Sequence, residues 1–75
     1  MSKLTVFTKN NCIQCKMTKR FLSEHGIDFE EKNINENPEY IDYLKGQGFA
    51  AVPVVEGTGI ETIAGFRPDV LKKLA

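Results

Sequence analysis

Two cysteines, Cys12 and Cys15, stand three positions apart, and the 75 residues hold no others. A thiol pair at this spacing can close into a disulfide and open again, carrying two electrons each time. The same spacing also serves zinc, so by itself it does not choose. Tetrahedral zinc takes four ligands, and His25 is the only other soft donor here, so a metal site would need two copies of the chain. A third reading makes both cysteines small buried apolar residues, as free cysteines often are. The chemistry of disulfide exchange asks for more than a pair. The attacking sulfur must be a thiolate, which needs a pKa lowered from about 8.5 to somewhere between roughly 3.5 and 7.5.

The elements around the pair supply that setting. Residues 3–8, KLTVFT, form a β-rich run, and Lys9, Asn10 and Asn11 make a loop. From residue 12 to 25 the period becomes helical, with Ile13, Met17 and Phe21 recurring every four residues and Thr18 and Leu22 beside them. Gly26 closes this helix, with His25 in its last turn. Cys12 and Cys15 therefore lie where a helix opens after a strand, the context in which the spacing points to redox chemistry. The first helical turn offers unpaired N–H donors and the positive end of the macrodipole, both of which favour a thiolate.

At about 100° per residue, Cys12, Lys16, Lys19, Arg20 and Ser23 share one helix face. Ile13, Met17, Phe21, Thr18 and Leu22 share the other, with Cys15 at its edge. An exposed Cys12 among cations and a shielded Cys15 are expected. That asymmetry fits an attacking thiolate and a resolving thiol.

The remaining elements follow the same logic. Residues 27–34 alternate at first and predict a second strand. Asn37, Pro38 and Glu39 supply an N-cap, an N1 proline and a first-turn acid for a helix that buries Tyr40, Ile41 and Leu44, with Tyr43 at its edge. Gly46 and Gly48 stop it. A strand begins at Val52, Gly57-Thr58-Gly59 turns, and residues 60–64 return as its partner. Arg67, Pro68 and Asp69 open a last short helix burying Val70, Leu71 and Leu74. The order βαβαββα predicts one layered α/β domain spanning residues 1–75, with a mixed sheet.

Composition excludes other classes. Ten basic residues balance ten acidic ones, so the basic footprint of a nucleic-acid binder is missing. The clusters Lys16, Lys19, Arg20 and Lys72, Lys73 are expected as solvated helix faces. An apolar share of 41% and a charged share of 27% describe a folded domain. No stretch approaches the roughly 18 apolar residues of a membrane span, and the N-terminal residues have no secretory h-region. A monomer in the cytoplasm is the expectation. In such a reducing compartment two cysteines need a reason other than stability.

Two further segments attract notice. Pro53 at a strand start lacks an N–H and must avoid a ladder position; base rates, about 5–6% cis for X–Pro bonds, favour a trans bond there. Gly65 stands where a backbone could approach a ligand closely, ahead of Phe66 and Arg67.

Taken together, Cys12-Ile13-Gln14-Cys15, Thr18-Lys19-Arg20-Phe21-Leu22, Gly26-Ile27, Ala51-Val52-Pro53-Val54-Val55 and Gly65-Phe66-Arg67-Pro68-Asp69 resemble the glutaredoxin-like NrdH redoxins. The resemblance covers essentially the whole chain. Its specific parts are Gln14 and the Gly-Phe-Arg-Pro-Asp segment; the rest is shared with glutaredoxins generally. It implies a thioredoxin fold with a four-stranded mixed sheet and helices on both faces. It implies Cys12 as nucleophile, Cys15 as resolving thiol, and a cis Pro53 facing Cys12. Lys9, Gln14, Val52, Gly65, Phe66 and Arg67 would join Pro53 on the partner-binding surface.

The resemblance also implies the route of the electrons. They would pass from NADPH and thioredoxin reductase to the large subunit of class Ib ribonucleotide reductase, for deoxyribonucleotide synthesis. No bound cofactor or metal is implied, only a reversible Cys12–Cys15 disulfide. Glutathione-binding glutaredoxins usually carry acids at the start of the last helix to hold the tripeptide's ammonium. Here Arg67 and Pro68 stand in that stretch, although Asp69 remains. One departure is Ile63, where the family often has tryptophan. The alternatives left open are a glutathione-dependent glutaredoxin and a non-catalytic metal-binding or interaction module.

Overall fold

The computed structural model describes residues 4–57 and 62–74. In chain order these form β1 (Leu4–Thr8), α1 (Ile13–Glu24), β2 (Phe29–Asn33), α2 (Glu39–Gly46), β3 (Val54–Glu56), β4 (Ile63–Ala64) and α3 (Pro68–Leu71), followed by a 3-10 turn at Lys72–Leu74. The four strands make one sheet in the order β2-β1-β3-β4. β1 and β2 run parallel, as a helical crossover requires. β3 pairs antiparallel with both β1 and β4. The βαβαββα order and the mixed sheet agree with the sequence pattern.

Strand alternation sorts the core into two halves. Leu4, Val6, Val55 and Ile63 face one side, where Leu22 of α1 and Leu71 of α3 cover them. Phe7 and Val54 face the other side and meet Leu44 of α2. β1 and β3 thus carry apolar residues on both faces because helices flank both, which makes them the rigid centre from which the loops depart. Ile63, where the family often has tryptophan, is 5% exposed and belongs to the first core half.

α1 ends as Gly26 suggests. Its φ of +67° suits a residue without Cβ. The Gly26 N–H donates to Ser23 O at 3.1 Å and the Ile27 N–H to Leu22 O at 2.9 Å, the paired bonds of a Schellman cap. Ile27 is consequently part of the cap and not of a strand, so β2 starts later than expected, at Phe29. Pro38 sits in helical conformation ahead of Glu39, and the Asn37 side chain makes no cap. Asn37 still contributes its carbonyl, which accepts from the Tyr40 N–H at 3.0 Å. Tyr40 and Ile41 are half-buried and Leu44 is buried. The expected turn at Gly57-Thr58-Gly59 and residues 60–61 of the return strand fall mainly outside the described residues, as does the Leu74 side chain.

The buried face of α1 differs from expectation. Cys15, Thr18 and Leu22 are buried, whereas Ile13 is 74% and Met17 43% exposed. A row spaced by four residues drifts roughly 40° around the helix at each step. The row that is half-buried at Phe21 therefore leaves the sheet at Met17 and faces solvent at Ile13. Thr18 can replace an apolar residue because its hydroxyl donates to Gln14 O at 2.9 Å, leaving no buried polar atom unmatched.

Candidate active site

β1 is buried at four of its five residues, including the last, Thr8. The chain then turns through Lys9, Asn10 and Asn11, the last with φ of +58°, a left-handed conformation that asparagine tolerates. It arrives at Cys12 in extended conformation, φ −109° and ψ 108°, as the N-cap of α1. Cys12 and Cys15 form a disulfide, with Cα atoms 5.2 Å apart. The Cys12 Sγ accepts the Cys15 N–H at 3.1 Å, and Cys12 O accepts the Lys16 N–H at 3.1 Å. No acidic residue occupies the first turn, so nothing offsets the positive end of the helix there.

Cys15 is shielded as expected, at 1% exposure, but Cys12 is only 8% exposed. The helical face assigned to Cys12 does not apply to it. As an N-cap it lies outside the helical angles, and its bond to the buried Cys15 draws the sulfur inward. The cations are also more occupied than expected. Lys19 pairs with Glu31 at 2.9 Å and Arg20 with Glu24 at 3.0 Å, while Lys16 is exposed.

Strand register brings the other candidates to the same end of the sheet. Val54 pairs with Phe7 and with Ala64, so Pro53 and Gly65 lie beside the end of β1 from which the loop to Cys12 departs. The Val52–Pro53 bond is cis, as the family resemblance implies and against the bare base rate. Pro53 is fully buried, and its carbonyl accepts the Gly65 N–H at 2.7 Å. Val52 and Lys9 line one open hollow of about 140 Å³, with Ile41, Leu44 and Phe49. Gln14 is exposed on the first turn of α1, Phe66 packs half-buried on the core, and Arg67 precedes α3 and pairs with Asp69 at 3.6 Å.

Sequence reasoning missed two polar linkages here. Glu31 on β2 accepts from the Thr8 hydroxyl at 2.7 Å and from the Lys19 ammonium at 2.9 Å. The Lys19 hydrogen bond, aided by Thr8, holds the Glu31 carboxyl below its ordinary value, against a smaller opposing effect of burial. The second linkage joins Asn10 to Asn33 and Asn35 across the loops. The only signal in the sequence was an asparagine-rich run, Asn33-Ile34-Asn35-Glu36-Asn37, between the second strand and the second helix. Among the described residues no group of three or more His, Cys, Asp or Glu is placed to hold a metal. No helix among them is long and apolar enough to cross a membrane.

Comparison with known proteins agrees with this geometry. The glutaredoxin family profile matches residues 4–59. The glutaredoxin-like protein NrdH of Lactococcus lactis subsp. lactis (strain IL1403) is 50% identical over 72 residues, covering 96% of this chain and 99% of that protein. NrdH of Escherichia coli (strain K12) is 42% identical over 72 residues, covering 96% and 88%. Among solved structures, the E. coli NrdH-redoxin, described as having a thioredoxin-like activity profile, matches with a TM-score of 0.90 at 40% identity, covering 97% of this chain and 95% of that one. A disulfide that ends a central strand's loop and opens a helix, in this fold and with these relatives, places the chain in the glutaredoxin family as a glutaredoxin-like thiol–disulfide oxidoreductase of the NrdH type.

Proposed function

We propose that the chain carries two electrons from NADPH, through thioredoxin reductase, to a disulfide of the large subunit of class Ib ribonucleotide reductase. Cys12 is the nucleophile. Its thiolate attacks one sulfur of the partner's disulfide, forming a mixed disulfide and releasing the other partner sulfur as a thiolate. Cys15, once deprotonated, attacks the Cys12 sulfur; the Cys12–Cys15 bond forms and the second partner thiolate leaves. The partner has then gained two electrons and this chain has lost two. Thioredoxin reductase reverses the change.

The observation that carries this reading is the Cys15 N–H aimed at the Cys12 sulfur at 3.1 Å, in a first turn without acids. An N–H that meets the sulfur in the disulfide is in place to meet its negative charge after reduction. Pro53, Val52 and Gly65 form the rim on which a partner's backbone docks, with Lys9, Gln14, Phe66 and Arg67 around it. The thioredoxin-like profile of the E. coli relative supports an electron source other than glutathione. So does Arg67 beside Asp69, because a neighbouring guanidinium repels an ammonium from the one acid left at the start of α3.

The test is NADPH consumption with a small disulfide as acceptor, run once with thioredoxin reductase and once with glutathione plus glutathione reductase. Turnover with thioredoxin reductase, absent in Cys12→Ser, is expected. Turnover with glutathione alone would show a glutathione-dependent glutaredoxin instead.

A further inference from the structure

The loop that delivers Cys12 is tied down by asparagines some twenty residues further along the chain. The Asn10 N–H donates to Asn35 Oδ1 at 2.6 Å. Asn33 Nδ2 donates to Asn10 Oδ1 at 3.0 Å. Asn33 Oδ1 in turn accepts the backbone N–H groups of Asn35 at 2.7 Å and Glu36 at 3.2 Å. The amide orientations are mutually consistent. Backbone N–H groups can only donate, so both Asn35 and Asn33 must present their oxygens to them. That leaves the Asn33 nitrogen for the Asn10 oxygen. Both the main chain and the side chain of Asn10 are thereby fixed, from a turn that is itself locked by Asn33.

One residue separates this anchor from the N-cap. Asn11 takes a left-handed conformation, φ +58°, and Cys12 follows with its sulfur on the Cys15 N–H. We propose that Asn33 and Asn35 are positioning residues for Cys12. By holding Asn10 they set the angles through which Asn11 presents the Cys12 sulfur to the first turn of α1, and so set the basicity and reactivity of its thiolate. Asn10 and Asn35 are exposed, where water competes for each bond and the net contribution to stability is small. The network therefore acts on geometry near the sulfur more than on folding. Asn10 reaches Asn35 over 25 positions, so the bond joins two turns that are far apart in sequence.

This inference rests on Cys12 being the attacking thiol, and its test separates the two. In a Cys15→Ser background only the Cys12 thiol titrates, and its ultraviolet thiolate absorbance is followed against pH with and without Asn35→Ala. The titration midpoint is expected to rise. The rate of attack on a small disulfide at neutral pH is expected to fall about tenfold, since a misplacement of 1 Å at a reacting group can cost roughly a hundredfold. Asn35→Gln keeps an amide but displaces its oxygen, and should shift both readouts in the same direction. Asn37→Ala, in the same turn but outside the network, should move neither. An unchanged midpoint and rate in the Asn35 variants overturns the proposal, and so does an equal change in Asn37→Ala. Failure of Cys12 to react at all, with the asparagines intact, would instead remove the assigned role of Cys12.

Discussion

The Gly65 N–H donates to the Pro53 carbonyl at 2.7 Å, joining the residue just before β3 to the residue that leaves β4 for α3. Because Val54 pairs with both Phe7 and Ala64, this bond closes the sheet at the end where the redox loop departs. Two separate segments of the chain thus meet beside the loop that leads to Cys12.

Gly65 has a φ of +81° and open space where a Cβ would stand. Gly65→Ala therefore tests backbone conformation without a steric clash. Left-handed backbone costs an L-residue roughly 1–2 kcal/mol, and a loss of about that size is expected in denaturant unfolding. Reduction of a protein disulfide should weaken through a higher KM, with kcat changed less.

The exposed and buried rows of α1 give opposite expectations. Leu22→Ala removes a side chain with no exposed surface from the core half it shares with Val6 and Val55, at a cost of about 2–5 kcal/mol. In a domain this small that is a large part of total stability. Ile13→Ala and Met17→Ala should change unfolding by less than about 0.5 kcal/mol, as exposed substitutions do. Equal losses from Ile13→Ala and Leu22→Ala would mean that α1 presents its period-four row to the sheet after all.

Glu31 links β2 to the end of β1 and to α1, and its carboxyl titrates below the ordinary 4.5 because Lys19 and Thr8 hydrogen-bond it. A depressed folded-state value adds stability above the unfolded pKa and loses it as pH falls through the folded one. The stability difference between the parent and Glu31→Gln should thus be present at neutral pH and shrink below about pH 4.5. Both partners are about a third exposed, so solvent screening keeps the difference under about 1 kcal/mol. Denaturant unfolding at several pH values measures it.

Tyr43 donates to the Glu56 carboxylate at 2.9–3.0 Å. That hydrogen bond is the main cause that raises its phenol above the ordinary 10.0, since loss of the proton would set two negative charges side by side. A spectroscopic tyrosinate titration should show the Tyr43 midpoint moving down in Glu56→Gln.

Much of this molecule is legible in its residues. The change of period at Cys12, the Gly26 cap and the Pro68 helix start announce the element order, because each acts through neighbours within four or five positions. What is not legible depends on partners far away in sequence. Asn33 gives no sign of reaching Asn10, and Glu31 none of reaching Thr8 and Lys19. The exposure of Ile13 follows from the roughly 40° drift of a period-four row at each step around α1, which a simple recurrence of apolar residues hides. Cys12 looked exposed on a helical wheel and is buried because it caps the helix and is bonded to Cys15. The cis bond at Pro53 was readable from the family pattern, whereas its burial and its bond to Gly65 emerged only with the sheet register.

The central claim, that Cys12 attacks and Cys15 resolves, is tested most directly by trapping. Reduced Cys15→Ser is mixed with a disulfide-bearing protein substrate and examined by mass spectrometry under non-reducing conditions. A stable mixed disulfide through Cys12 is expected, and none from Cys12→Ser. A covalent complex formed through Cys15 in Cys12→Ser, with Cys15→Ser inert, would reverse the assigned roles and contradict that claim.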